Sequence, residues 1–295
     1  MDYKIIEEDN RIILKGMRDF DPKHIFECGQ AFRWKQEEDG SYTAIHKGKV
    51  INVLRDHRDV VFSNTNRSEF ENIWYDYFDL GRDYSKIKKE LSKDPVLKEA
   101  VHFGEGIRIL KQEPYETTIS FIISANNQIP RIKNSIKLIS EGFGKYIGEY
   151  HGQKYYSFPT ADVLAKADPK DMEKSYKVGY RAKYIVESSK MIADNIVDLA
   201  AIDRLPTKQA QEELSKLPGV GPKVSSCILL FAFHKEDAFP VDVWVKRVME
   251  YFYFKKDTKL KDISSPAKEK FGPLAGFAQQ YLFYYARELG IGKNK

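Results

Sequence analysis

Cysteine is scarce in this chain: 295 residues contain two, Cys28 and Cys227. Two cysteines cannot build a zinc ribbon or a four-cysteine iron–sulfur site, and one distant pair gives no disulfide framework. Both are expected as thiols in a reducing compartment. Long apolar runs are also missing. None approaches the roughly 18 residues of a membrane span, and the start, MDYKIIEEDNRIILKGM, mixes charges and holds no apolar signal-peptide core. The expected location is therefore a bacterial or archaeal cytoplasm, beside the nucleoid, or a nucleus in a eukaryote. No charge of one sign dominates: 48 Lys and Arg face 43 Asp and Glu, for a net charge of +5. So many acids exclude a wholly basic binding protein, and any surface for a polyanion must be local. Low-complexity tracts, internal repeats and nucleotide-cofactor fingerprints are absent too, which disfavours a small-molecule enzyme built on such a cofactor.

What is present changes character near residue 65. Before it, short β-rich runs alternate with turns: Tyr3–Glu7, Arg11–Lys15, Ala31–Lys35, Ser41–His46, Val50–Arg55 and Val60–Ser63, separated by Asp9-Asn10, Asp39-Gly40 and Gly48. Period-2 apolar spacing with Asn or Gly turns predicts an antiparallel sheet. After it, nearly every segment has helical period. Ser68-x-x-Glu71 reads as a capping box for a helix carrying Phe70, Trp74, Tyr77 and Phe78. Helices are expected over 115–125, from Ile129 to about Gly142–Gly144, and over Arg181–Ile196, 208–216, Lys223–His234 and Phe277–Leu289. Ser265-Pro266 supplies an N-cap and first-turn pair for one more. The expected class is α+β: residues 1–112 form a β-sheet domain with flanking helices, packed on a helical domain of residues 113–295 whose last helices can return to the first.

The strongest local signal is Leu217-Pro-Gly-Val-Gly-Pro-Lys223 between two helices. Two glycines permit a tight hairpin with outward backbone N–H groups, and Pro222 suits the first turn of the next helix. Amides at a positive helix end make an anion site, most naturally for phosphate; an ordinary helix–turn–helix connection is the other reading. Lys223 sits in that first turn, where the macrodipole and partial burial are expected to lower its pKa and free its amine as a nucleophile. Taken alone it also fits a lysine that contacts phosphate. Further on, Phe239-Pro-Val-Asp242 ends on an acid directly before a helix near Trp244. Asp242 fits both a stabilised carboxylate and a plain N-cap. The two halves together are far more specific than either.

At this point the sequence resembles the helix–hairpin–helix–Gly/Pro–Asp DNA glycosylase superfamily, through Leu217-Pro-Gly-Val-Gly-Pro-Lys223 and Pro240-Val-Asp242. Within it the chain is similar to the 8-oxoguanine DNA glycosylases. Cys28-Gly-Gln-Ala-Phe-Arg-Trp34, Phe121-Ile-Ile-Ser-Ala-Asn126-Asn-Gln-Ile-Pro-Arg131, Gly179-Tyr-Arg-Ala-Lys-Tyr184 and Ala275-Gly-Phe-Ala-Gln279-Gln-Tyr-Leu-Phe283 carry that likeness in order along the chain.

The resemblance implies a bifunctional DNA glycosylase and AP lyase acting as a monomer on double-stranded DNA with 8-oxoguanine, preferably opposite cytosine, without cofactor or metal. It makes Lys223 the nucleophile at C1′ and Asp242 the stabiliser of the oxocarbenium-like sugar, which also helps orient Lys223. The Gly29 carbonyl would accept the N7–H that guanine lacks, Cys227 and Phe283 would sandwich the flipped base, and Gln279 would bind its Watson–Crick edge. Tyr180 would wedge the gap, while Asn126, Arg131 and Arg181 would read the widowed cytosine. Gly219, Val220, Gly221 and Trp244 would meet DNA phosphate; Trp244 stands where eukaryotic relatives usually carry histidine. Taken singly, Cys227 and Phe283 read as core, Gly29 as a turn glycine, and Arg131 and Arg181 as solvated charges. Two alternatives follow from the same residues. A 3-methyladenine-type monofunctional glycosylase would not normally carry Lys223. A non-enzymatic helix–hairpin–helix DNA-binding module would bind phosphate and ignore damage.

Overall fold

The computed structural model describes residues 3–292. Its N-terminal part is a six-stranded antiparallel sheet, β1 (Lys4–Glu8), β2 (Arg11–Lys15), β3 (Trp34–Gln36), β4 (Tyr42–His46), β5 (Lys49–Asp56) and β6 (Asp59–Ser63), in the order β1-β2-β6-β5-β4-β3. Alternation along the strands puts one row, Ile12, Phe62, Val53 and Tyr42, in register across four neighbouring strands, and all four are buried. That row meets a cap of aromatic rings: Phe62 lies edge-on to Phe70 and Phe20 at 5.2 and 5.6 Å, and Phe26 stacks on Tyr42 at 5.7 Å. The sheet, the helix Pro22–Glu27 and the turns over 67–77 enclose this first core.

A second core lies among the helices. Pro114–Ser124 and Pro222–Phe231 are its central members: from Val224 to Phe231 every residue is buried, as an all-round apolar helix requires. Ile129–Phe143, Arg181–Ala193, Thr207–Leu214, Val243–Val248 and Ala275–Leu289 surround them. Among the described residues no helix is long and apolar enough to cross a membrane.

Four local expectations need correction. Ala31–Lys35 does not run as one strand: β3 begins at Trp34, because Phe32 leaves the sheet to pack edge-on against Phe121 in the helical core and Arg33 pairs with Glu116 at 3.2 Å. This stretch therefore crosses from one core to the other. The cap before Phe70 is Asn66 rather than Ser68, since the Asn66 carboxamide oxygen accepts from the Glu69 N–H at 2.9 Å; a wide π turn over Phe70–Trp74 follows. The helix near Pro266 starts at Ser264, so Ser265 lies inside it and does not cap it. A two-stranded hairpin, β7 (Tyr146–Tyr150) with β8 (Gln153–Tyr156), occupies a region expected to be helical or connecting. It turns at His151-Gly152, both with positive φ.

Candidate active site

The hairpin between Thr207–Leu214 and Pro222–Phe231 is held from below by buried Leu217 and Val220, whose backbones close a turn at 3.1 Å. Gly219 has φ +80°, and a Cβ there would stand 2.9 Å from the Tyr184 ring. The motif around Tyr180 and the hairpin thus pack on each other. Ser188 adds a hydrogen bond to the Pro218 carbonyl at 3.0 Å. On the outer side Gly221, the N-cap of Pro222–Phe231, has nothing within 4 Å of where its Cβ would be, so a ligand can approach the backbone closely at this helix N-terminus. The Val220 side chain packs into the helical core, so it cannot itself meet a phosphate.

Lys223 is the second residue of this helix and Cys227 lies one turn beyond it. The Lys223 Nζ is 3.5 Å from Ser124 Oγ and 5.3 Å from the Phe121 ring centre. Asp242 is the N-cap of Val243–Val248, its Oδ1 accepting from the Val245 N–H at 2.8 Å. The N-cap reading therefore holds, and the same carboxylate lines the cavity that holds Lys223. The two groups make no ion pair within 4.0 Å. Burial raises the Asp242 pKa above the usual carboxylate value, against the opposing pull of the Val245 N–H and the Lys223 charge. Burial likewise pushes the Cys227 thiol up.

One cavity of about 40 Å³ collects residues from four distant parts of the sequence: Gly29, Lys223, Cys227, Asp242, Gln279 and Phe283. Gln279 and Phe283 reach it from the last helix, Ala275–Leu289. The Gln279 side-chain oxygen is buried and accepts no hydrogen bond among the described residues, so it is free to take N–H groups from a ligand. Gly29 has φ +82°, and a Cβ on it would lie 3.0 Å from Phe283 and 3.2 Å from Arg287. The Phe283 ring thus rests on the backbone of Gly29. A space of this size suits a water molecule, so the walls must part before a purine can enter.

The remaining expected residues lie outside the cavity. Arg181 is buried, not a solvated surface charge. Its guanidinium donates to the carbonyls of Ala125, Asn126 and Val178, at 2.9 Å to each of the first two and 3.3 Å to the third. It builds the loop that presents exposed Asn126, which has φ +49°. Arg131 is exposed in the first turn of Ile129–Phe143, and Tyr180 is 56% exposed at the start of Arg181–Ala193. Trp244 is half-buried with the Arg247 guanidinium 4.9 Å from its ring centre. Sequence reasoning missed Phe121, Phe231 and Pro240 as walls of the cavity and Ser124 as a neighbour of the Lys223 amine. Phe121, Ser124 and Phe231 sit on helices whose apolar spacing signals core equally well, and Pro240 reads as a loop proline before the Asp242 cap. Among the described residues no group of three His, Cys, Asp or Glu is placed to hold a metal.

Residues 12–118 match the family model of the 8-oxoguanine DNA glycosylase N-terminal domain, and residues 119–273 that of HhH-GPD superfamily base excision DNA repair proteins. The chain is 33% identical to a probable N-glycosylase/DNA lyase of Methanothermobacter thermautotrophicus, over 77% of each protein. It is 50% identical to the Clostridium acetobutylicum 8-oxoguanine glycosylase/lyase solved with double-stranded DNA containing cytosine opposite to 8-oxoG, with a TM-score of 0.95 over 99% of this chain and 100% of that one. An Archaeoglobus fulgidus 3-methyladenine DNA-glycosylase, 22% identical over 91% of this chain and 94% of its own with a TM-score of 0.71, shares the fold. The chain belongs to the 8-oxoguanine DNA glycosylases of the helix–hairpin–helix–Gly/Pro–Asp superfamily of base excision repair proteins.

Proposed function

We propose that this protein flips 8-oxoguanine out of duplex DNA, preferentially where cytosine is opposite, releases the base by attack of Lys223, and nicks the strand as a lyase. The Lys223 Nζ forms a bond to C1′ while the N-glycosidic bond breaks and its electron pair leaves with N9 of the base. Asp242, ionised, balances the positive charge that builds on the sugar. Opening of the sugar ring converts the C1′ adduct to a Schiff base; loss of a C2′ proton then expels the 3′-phosphate by β-elimination. Gly29 supplies the carbonyl for N7–H, Gln279 the group for the Watson–Crick edge, and Cys227 and Phe283 the two faces of the slot. Arg131, Arg181 and Asn126 act on the cytosine, Tyr180 on the gap, and the amides of Gly219–Gly221 with Trp244 on the phosphates.

The observation that carries this reading is the single cavity shared by Lys223, Asp242, Gly29 and Gln279. A nucleophile, a half-buried carboxylate, a glycine backbone and an unsatisfied amide oxygen serve no common purpose in a mere DNA-binding module. The test is borohydride trapping on a duplex with one 8-oxoguanine opposite cytosine, with an undamaged duplex and Lys223→Gln as controls. A covalent complex with the parent chain, absent from both controls, is expected. Base release without trapping would mean a monofunctional enzyme, and binding without either would mean a binding module.

A further inference from the structure

Around Gly29 three near neighbours in the chain have their carbonyls claimed by side chains. The Glu27 carbonyl accepts from Arg287 Nη2, the Cys28 carbonyl from Gln280 Nε2 at 2.7 Å, and the Gln30 carbonyl from Gln112 Nε2 at 2.7 Å. The Gly29 carbonyl alone in this run has no hydrogen bond among the described residues. The anchoring continues in the side chain of Gln30, which is fully buried. Its Nε2 donates to the Ile25 and Arg108 carbonyls at 2.9 and 2.8 Å, and its Oε1 accepts from the Leu110 N–H at 2.8 Å.

We infer that Gln280 and Gln112 are positioning residues for lesion recognition: they hold the peptide planes before and after the Gly29–Gln30 peptide, so that the Gly29 carbonyl is the one acceptor left to face the base. The physical reason lies in the backbone at this point. Glycine with φ +82° has little intrinsic preference to hold one orientation. A carbonyl that must tell an N–H from a lone pair has to be aimed, because a misdirected acceptor neither rewards the first nor repels the second. Clamping the carbonyls of Cys28 and Gln30 restricts that freedom. Unlike Gln279, Gln280 spends its donor on the wall itself. The helix Ala275–Leu289 would thus read the base twice: directly through Gln279, and through the wall by way of Gln280 and Arg287.

This inference rests on the role of the Gly29 carbonyl given above, and the experiment separates the two. Gln280→Met and Gln112→Met keep the length of the side chain and remove the donor. Each is made in the full chain carrying Lys223→Gln, so that substrate stays intact, and affinity is measured for duplexes with 8-oxoguanine or guanine opposite cytosine. Each is also made with Lys223 present, and nicking of a duplex with an abasic site is measured, which needs the fold and the amine but no base. The expected result is a fall of about tenfold in the preference for 8-oxoguanine over guanine, the size of one lost hydrogen bond, with abasic nicking unchanged. Full preference in both variants would overturn the inference, and so would nicking that falls in step with preference, since that marks a merely structural role. If the Lys223→Gln chain itself shows no preference, the reading of Gly29 fails first and takes this inference with it.

Discussion

Asp242 shows how one side chain can serve fold and chemistry together. Its carboxylate caps Val243–Val248 and also stands in the cavity with Lys223. Asparagine caps helices as well as aspartate does. Asp242→Asn is therefore expected to leave thermal stability nearly unchanged while base excision falls at least about a hundredfold, the scale of losing one preorganised electrostatic group. Because burial raises the pKa of Asp242 above its ordinary 3.8, the acid limb of the excision-rate profile should lie above that value. A parent profile flat down to pH 4 would contradict it. Gly29→Ala places a Cβ at positive φ, 3.0 Å from Phe283. A stability loss of about 1–2 kcal/mol is expected from the backbone alone, measured by urea unfolding, together with slower excision of 8-oxoguanine.

Among the elements, the hairpin and the Asn126 loop carry distinct expectations. Gly219→Ala forces a Cβ to within 2.9 Å of the Tyr184 ring at φ +80°. The hairpin then cannot keep its outward amides in place, so duplex affinity should weaken and the slope of log Kd against log salt should become shallower, as phosphate contacts are lost. Unchanged affinity and slope would mean that these amides do not meet DNA. Arg181→Ala removes the donors that tie Ala125, Asn126 and Val178 together. The preference for cytosine over adenine opposite the lesion should narrow, read by excision rates on the two duplexes.

For the whole molecule, buried His46 and half-buried His234 contribute most clearly to the response to acid. His46 is stacked on Tyr77 at 4.3 Å, and burial lowers its pKa from 6.5 to about 3. His234 is lowered by burial to about 4. Below pH 6.5 both bind protons in the unfolded chain but stay neutral in the fold, so stability is lost as pH falls from 6.5 toward about 4, by up to about 1.4 kcal/mol per pH unit for each. Glu116 and Asp242, whose pKa values are raised, act with the opposite sign. Unfolding free energy measured between pH 7.5 and 5 should fall, and His46→Phe should flatten that fall.

Local chemistry was legible in the residues themselves. Alternation in Arg11–Lys15 and Asp59–Ser63, the Gly221-Pro222 start of the central helix and the Asp242 cap each depend on a few neighbours, so short-range sterics and hydrogen bonds decide them. The motifs likewise marked Lys223, Asp242, Gly29 and Gln279, all of which line one cavity. Long-range contacts decided the rest. Phe32 and Arg33 leave the sheet because Phe121 and Glu116 await them in the other core. Arg181 is buried because three carbonyls on two loops converge on it. The Cys28 carbonyl finds its donor in Gln280, 252 positions along the chain. No local rule can announce such a pairing, since the free energy that selects it exists only once both cores have formed and excluded water from the groups between them.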